Sequence, residues 1–273
     1  MVLILMNIKN CDGLDLLKTL ENNSIDLILT DPPYIISRNS GMDKYTDQVK
    51  QIEKEGKNVK TEKDWEEYKV KHKLEDDTYK ENYLKYGNTS GKKYGYKTDY
   101  GDWDKDFTMK KLEEFIQLFY KKLRKGGTCI IFFDLWKLSY LKEAMEKYKF
   151  KQLRFIEWVK TNPVPLNQSV NYLTNSREIA LLGVKGGKPT FNSKYDKGIY
   201  DYPIQGGKNR FHPTQKNVKL FEALIKKHSN KGDVVLDTFL GGGTTAIASK
   251  NTERKFIGCE ISKEYYDKIT KIL

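Results

Sequence analysis

The chain has 273 residues, enough for one large domain or two small ones, with a core that needs no disulfide or structural metal. Apolar residues make up 38%, charged residues make up 32%, and 49 Lys and Arg against 37 Asp and Glu leave a net charge of +12. That balance points to a polyanionic partner, a nucleic acid or an anionic membrane surface. No apolar run approaches the roughly 20 residues that cross a bilayer. Val2–Met6 is too short for a secretion signal and has no basic stretch before it, so membrane and secreted classes are set aside.

In chain order, Val2–Ile8 is a first strand, Leu14–Glu21 a helix and Ile25–Thr30 a second strand. Residues 38–100 then break the pattern, with 15 Lys and Arg, 13 Asp and Glu, 8 of the 18 tyrosines and few aliphatics. This composition predicts a long polar insertion that buries little and is mobile, with a helix around Trp65–Leu74. A helix follows over Met109–Leu123, with Lys125-Gly126-Gly127 as its stop. The run Thr128–Phe133 reads as a strand covered on both faces. In Leu135–Tyr148, Leu135, Leu138, Leu141, Met145 and Tyr148 recur at helical spacing. Phe155–Val159 and Glu178–Val184 are strands, Asn217–His228 a helix, Val234–Asp237 a strand, Thr244–Lys250 a helix, Lys255–Cys259 a strand and Lys263–Ile272 a closing helix. The alternation predicts an α/β fold with a mostly parallel sheet and helices on both faces. The folded domain takes residues 1–37 and 101–273, and the insertion takes 38–100.

The charge is not spread evenly. Residues 150–230 hold 14 Lys and Arg against 5 Asp and Glu, a net of +9, which concentrates the nucleic-acid signal there. Cys11, Cys129 and Cys259 are scattered, and neither they nor His72, His212 and His228 have metal-ligand spacing. No metal is expected, and the odd cysteine count fits a reducing compartment, the cytoplasm.

Two segments carry chemistry. The strand Ile25–Thr30 runs into Asp31-Pro32-Pro33-Tyr34, placing a carboxylate at a strand's C-terminal tip, where open α/β sheets bind ligands. Two prolines remove two backbone donors, so the loop offers acceptors, the Asp31 carboxylate and the Pro32 carbonyl, followed by an aromatic ring. Two acceptors and a stacking plate suit a planar amine. Further on, Val234–Asp237 leads into Thr238-Phe239-Leu240-Gly241-Gly242-Gly243-Thr244, a Gly-rich turn opening a helix, and the next strand ends at Glu260. This strand–turn–helix–strand–acid unit suits an adenosine-containing ligand, with the acid on ribose hydroxyls. It is not a phosphate loop of the ATPase kind, because Lys250 comes seven residues after Gly243.

Together these residues resemble the amino-methyltransferases that modify exocyclic amines of DNA bases with S-adenosylmethionine. Asp31-Pro32-Pro33-Tyr34 is similar to that family's catalytic tetrapeptide, and Phe239-Leu240-Gly241-Gly242-Gly243-Thr244 to its cofactor loop. The order, with the catalytic motif first and a basic segment between, resembles the β group, whose target-recognition region would lie at about 160–215. Asn10-Cys11-Asp12-Gly13, Gly101-Asp102-Trp103-Asp104, Trp158–Pro163 and Phe211-His212-Pro213-Thr214-Gln215-Lys216 extend the likeness. Thr238 departs from a usual proline and Gly242 from a common serine.

The resemblance implies a Rossmann-like methyltransferase fold and S-adenosylmethionine as cofactor. Asp31, Pro32, Pro33 and Tyr34 would be catalytic. The cofactor would be held by Asp12, Gly13, Asp31, His212, Thr214, Gln215, Asp237, Phe239, Gly241, Gly243, Thr244 and Glu260. The implied reaction is direct methyl transfer to N6 of a flipped adenine in double-stranded DNA, with Tyr34 stacking on the base and Arg154, Arg177 and Arg210 as candidate base readers. N4 of cytosine, or a DNA-binding protein without catalysis, are the alternatives. The implied partners are DNA, a second copy of the chain and a cognate restriction enzyme.

Overall fold

Apolar strands and amphipathic helices alternate along the chain, and in the computed structural model they assemble into one mixed sheet flanked by helices. The structure describes residues 5–35, 41–91, 107–164, 172–207, 210–212 and 214–273, with 41–47 described by backbone alone. The chain divides into two compact units, one of Met1–Tyr34 with Phe107–Leu273 and the other of Ile35–Asp106.

In the larger unit the strands are β1 (Met6–Asn10), β2 (Ile25–Thr30), β3 (Leu123–Phe133), β4 (Lys151–Lys160), β5 (Arg177–Val184), β6 (Ile199–Tyr202), β7 (Val234–Asp237) and β8 (Lys255–Glu260). Their order across the sheet is β1-β8-β7-β2-β3-β5-β4-β6. The strands from β1 to β3 pair in parallel, so their C-terminal ends share one edge. β5 runs antiparallel to both β3 and β4. Its first residues, Arg177 and Glu178, therefore reach that same edge beside the end of β4. Parallel strands buried on both faces read as continuous apolar runs, and Cys129–Phe133 is at most 1% exposed. Each such large side chain contributes roughly 1.5–3 kcal/mol by leaving water.

The helices of this unit are α1 (Gly13–Thr19), then α5 (Met109–Lys122), α6 (Leu138–Lys147), α7 (Val218–His228), α8 (Thr244–Asn251) and α9 (Lys263–Ile272), leaving α2 to α4 for the smaller unit. Asn217 caps α7 by accepting from Leu220 N at 3.1 Å. Leu220, Phe221, Leu224 and Ile225 of α7 join Leu27, Ile130, Phe132 and Trp158 of the sheet in the main core.

Several boundaries differ from the sequence reading. β1 is set later than Val2–Ile8, whose first three residues lie outside the described part. β3 begins at Leu123 and runs through Lys125-Gly126-Gly127, so those glycines do not end a helix. α5 stops at Lys122, and the register between β2 and β3 shifts between Ile25 and Leu27, absorbing the irregularity. Leu135–Lys137 forms a 3₁₀ turn ahead of α6. β6 was not expected from the sequence: Ile-Tyr-Asp-Tyr is a four-residue edge strand with no long apolar run.

The smaller unit holds α2 (Gly41–Glu55), α3 (Glu62–His72) and α4 (Lys80–Tyr86). The expectation that this segment buries little is corrected for its described residues. Trp65 is 0% exposed, and its indole donates to Asp77 Oδ1 at 3.0 Å. Tyr68 stacks on it and Tyr83 packs at a tilt, and Val49, Ile52 and Tyr86 form a second small cluster. Aromatic rings supply the burial that the scarce aliphatics do not. Among the described residues, no helix is long and apolar enough to cross a membrane, and no cluster could hold a metal ion.

Candidate active site

β2 ends where Pro32 and Pro33 remove the donors that would extend it. Asp31, one residue past the strand, is thereby left at the C-terminal edge of the sheet. Its Oδ2 accepts from the Lys216 ammonium. Its Oδ1 is buried and has no hydrogen-bond partner among the described residues. Burial pushes the Asp31 carboxyl up, Lys216 pulls it down, Glu178 pushes it up again, and the balance lies above the usual range.

Tyr34, half-buried in the same loop, packs edge-on against Phe133 at 5.8 Å and has its hydroxyl 3.5 Å from Glu178 Oε2. Burial, with Asp31 and Glu178 beside it, holds this phenol well above its usual range, so it is a neutral donor. Lys137 donates to the Tyr34 carbonyl at 2.9 Å and fixes the loop to the end of β3.

The second motif lies on the neighbouring strand, β7. β7 ends in Asp237, whose Oδ1 accepts from Thr30 Oγ1 at 2.6 Å and Phe239 N at 3.0 Å, while Oδ2 accepts from Thr245 Oγ1 at 2.5 Å. Asp237 is 2% exposed, so it shapes the turn and does not face outward as a ligand group. Burial raises its pKa to about 6.

The turn itself needs Gly241 and Gly243, whose φ values of +51° and +78° fall in the left-handed region. Gly243 opens α8 without a side-chain cap, leaving first-turn amides available. Glu260 accepts from Gly241 N at 2.7 Å and Ser262 N at 2.8 Å, one bond to each oxygen. A carboxylate has about four lone-pair sites, so this cradle still has acceptors for vicinal hydroxyls.

Three further sequence expectations meet at this turn. Phe239 packs against Phe115 at 4.6 Å and Phe107 at 5.4 Å. Asp12 caps α1 and pairs with Lys111 at 3.2 Å, and Gly13 packs directly on Thr238. The segment from Phe211 crosses the turn from the other side. The His212 ring lies against Gly241, the Gln215 side chain fills the space over Gly242, and Thr244 Oγ1 donates to the Lys216 carbonyl at 3.1 Å. Burial and Lys216 lower His212 to about 4, so it is neutral at pH 7. Thr214 is exposed, and its hydroxyl lies 3.2 Å from His212 Nδ1.

The sequence reading missed Glu178 and Lys160, and it took Lys216 only as part of the stretch that the resemblance places around the methionine end of the cofactor. Lys216 Nζ also bonds Glu178 Oε2 at 3.0 Å, and Glu178 Oε1 bonds Lys160 Nζ at 2.8 Å. The available signal was an acid in a segment with only five of them. Of the candidate readers, Arg177 sits at the active edge, paired with Glu157 at 3.2 Å. Arg154 lies six residues before Lys160, roughly 20 Å back along β4, on the wrong side for a base reader. Gly101–Asp104, Pro213 and residues 165–171 lie outside the described residues.

A carboxylate at the tip of β2 and a Gly-rich turn after the neighbouring β7 make a ligand site at the carboxyl edge of an open, Rossmann-like sheet. Residues 25–271 match the N6/N4 DNA methylase family, and the chain belongs to that family. It is 28% identical to the type II methyltransferase M2.LlaDCHI of Lactococcus lactis subsp. cremoris, over 94% of this chain and 84% of that one. It is also 28% identical to M2.DpnII of Streptococcus pneumoniae, over 95% and 86%. Among solved structures, the M1.HpyAVI complex with S-adenosylmethionine superposes with a TM-score of 0.62 at 26% identity, covering 98% of this chain and 100% of that one. The cytosine-N4-specific PvuII methyltransferase shares the fold, with a TM-score of 0.65 at 16% identity over 97% of this chain and 85% of that one.

Proposed function

We propose that this DNA methyltransferase moves a methyl group from S-adenosylmethionine to N6 of adenine in double-stranded DNA. The observation that carries the reading is Asp31 Oδ1, a buried acceptor with no hydrogen-bond partner within ordinary distance among the described residues, at the strand tip beside the Gly-rich turn. An exocyclic amine has two N–H bonds and a lone pair delocalised into its ring. Asp31 and the Pro32 carbonyl accept those two N–H bonds and draw the nitrogen toward tetrahedral geometry. Its lone pair then becomes available. Positioning supplies much of the rate, and the fixed acceptors stabilise the positive charge that develops on nitrogen.

Gly241, Gly243, Thr244 and Glu260 hold the cofactor, with Phe239, Asp12 and Gly13 behind the turn and His212, Thr214 and Gln215 across it. Asp237 acts through the turn it pins. When bound, the cofactor supplies a methyl carbon on a positively charged sulfur, whose bond to carbon breaks with its electron pair as the amine's bond forms. The target lies inside a duplex and must be flipped out, at a few kcal/mol, offset by stacking on Tyr34. The basic stretch 150–230 contacts phosphates and makes binding strongly salt-dependent. The type II names of the relatives favour a cognate restriction enzyme and a cytoplasmic setting, and the β-group order favours a homodimer.

The test is methylation of unmethylated genomic DNA followed by digestion and mass spectrometry of the nucleosides. N6-methyladenine is the expected product. N4-methylcytosine keeps the mechanism and overturns the base assignment, and an unmodified digest overturns the function.

A further inference from the structure

Four charges alternate in a buried row at the active edge: Asp31, Lys216, Glu178 and Lys160. Lys216 is 5% exposed, and Asp31 and Glu178 are 19% and 20% exposed. Burying an ion costs several kcal/mol even when it is paired, so apolar side chains of the same volume would stabilise the fold as well or better. Stability therefore does not explain the row. It comes from three separate parts of the chain, the end of β2, the sheet pair β4–β5 and the segment leading into α7. They meet at the Lys216 ammonium, which bonds both Asp31 Oδ2 and Glu178 Oε2.

We propose that Lys216, braced by Glu178 and Lys160, is a positioning residue for the methyl transfer, holding one oxygen of Asp31 so that the other remains an ionised acceptor for the substrate amine. The proposal rests on the functional reading above and adds residues to its site. Without the ammonium, Asp31 and Glu178 would be two carboxylates facing each other in a buried space. One would then take a proton, and a protonated Asp31 is a poorer acceptor for an amine. Burial works against the Lys216 charge, but Asp31 and Glu178 outweigh it and hold the ammonium above its usual range. Lys216 therefore stays charged and is not the base: the proton that the methylated nitrogen sheds leaves along its hydrogen bond to Asp31 and passes on to solvent. Glu178 is likewise held below its usual range, because Lys216 and Lys160 outweigh its burial. The other titratable groups around Asp31 and Lys216 are Tyr34, Asp237 and His212, the first and last neutral at pH 7.

The row makes two predictions of opposite sign. Glu178 raises Asp31 and Lys216 lowers it. Removing each should move the acid limb of the kcat/KM profile in opposite directions, which loss of packing alone does not do. The experiment measures methyl transfer to unmethylated DNA against pH for the wild type, Lys216→Met and Glu178→Gln, with cofactor affinity by calorimetry. Lys216→Met is expected to lose about 100-fold or more in kcat. It should hold cofactor affinity within about threefold, and its acid limb should move up by about one unit or more. Glu178→Gln is expected to move the limb down. Lys216→Met with wild-type kcat and an unmoved limb overturns the proposal, as does Glu178→Gln moving the limb upward. If Lys216→Met does not fold by circular dichroism, Glu178→Gln decides alone: a downward limb supports the role and an unchanged one overturns it. A wild type that methylates no base overturns the functional reading and this proposal with it, whereas an active wild type confines any failure to the row.

Discussion

Gly242 stands where the family commonly has serine, and the structure gives a reason that can be measured. A Cβ at Gly242 would sit 2.7 Å from Gln215 Cγ, 2.8 Å from Cδ and 2.9 Å from Oε1. The first of these is mid-chain, so moving the amide tip does not relieve it. Gln215 is 6% exposed and is further held by Phe211 N, which donates to its Oε1 at 3.3 Å. Reaching ordinary contact requires a retreat of roughly 0.7 Å by a side chain with nowhere to go. Overpacking of this kind costs about 1–3 kcal/mol, and a weakened hydrogen bond adds about 1. Replacing glycine recovers about 0.4–1 kcal/mol through the unfolded chain. Gly242→Ala should therefore destabilise by about 2 kcal/mol, or roughly 4–8 °C in melting temperature for a chain of this size. Gln215→Ala should remove the clash, so the double variant should recover at least about 1 kcal/mol relative to the sum of the single changes. Urea denaturation of the four proteins measures this coupling. Additivity within about 0.5 kcal/mol would refute the claim that Gln215 dictates glycine at this position.

Asp31→Ala should reduce methyl transfer by about 100-fold or more while DNA retention on a filter stays near wild type. Normal turnover in that variant removes Asp31 from the chemistry. Glu260→Ala deletes the acceptor of two backbone N–H bonds and should cost about 3 kcal/mol of stability and at least tenfold in cofactor affinity. Calorimetry showing unchanged cofactor binding contradicts its place in the cradle. Burial, together with Lys227, lowers His228 to about 4, below the 6.5 of an unfolded histidine. Its contribution is therefore fully present above pH 6.5 and is lost as pH falls toward 4. Relative to a His228→Gln variant, the wild type should lose about 2 kcal/mol between pH 7 and 5, and parallel stability curves would show that the ring is not held neutral. Replacing residues 38–100 by a short Gly-Ser linker should leave the larger unit folded, because its core is built from Met1–Tyr34 and Phe107–Leu273. Loss of the cooperative melt in that variant refutes the division.

Legibility in the sequence followed physical range. β2, β7 and α9 have the boundaries expected of them, because a run of apolar residues between turn formers is a local signal. β6 left no such signal. It is a strand because its neighbour β4 offers an edge, with Glu157 to Lys160 pairing along Ile199 to Tyr202. Of the smaller unit's helices α3 was expected, around Trp65–Leu74, but α2 and α4 were hidden in a composition that counts as polar, since tyrosine and tryptophan rings close their small clusters. The same holds at the site. Asp31 and the Gly-rich turn stand out because each lies in a motif of consecutive residues. Glu178 and Lys160 do not, because they reach Asp31 only through a strand pairing and a lysine 185 positions away from it.

One hydrogen bond explains why the two legible motifs form one machine. Thr30 is the last residue of β2 and Asp237 the last of β7, and these strands are neighbours in the sheet. The Thr30 hydroxyl, 0% exposed, donates to the carboxylate that also pins Phe239 N and Thr245. The loop proposed to be catalytic begins one residue after Thr30, and the turn proposed to hold the cofactor begins one residue after Asp237. Any displacement of one strand end is therefore transmitted to the other through a buried, fully bonded carboxylate, where adjustment is costly. Transfer between a methyl donor in one loop and an amine in the other depends on sub-ångström placement. A sheet edge tied this way supplies that placement before either ligand arrives. This accounts for an aspartate at 237 whose oxygens all face inward, in a turn whose purpose is to hold something else.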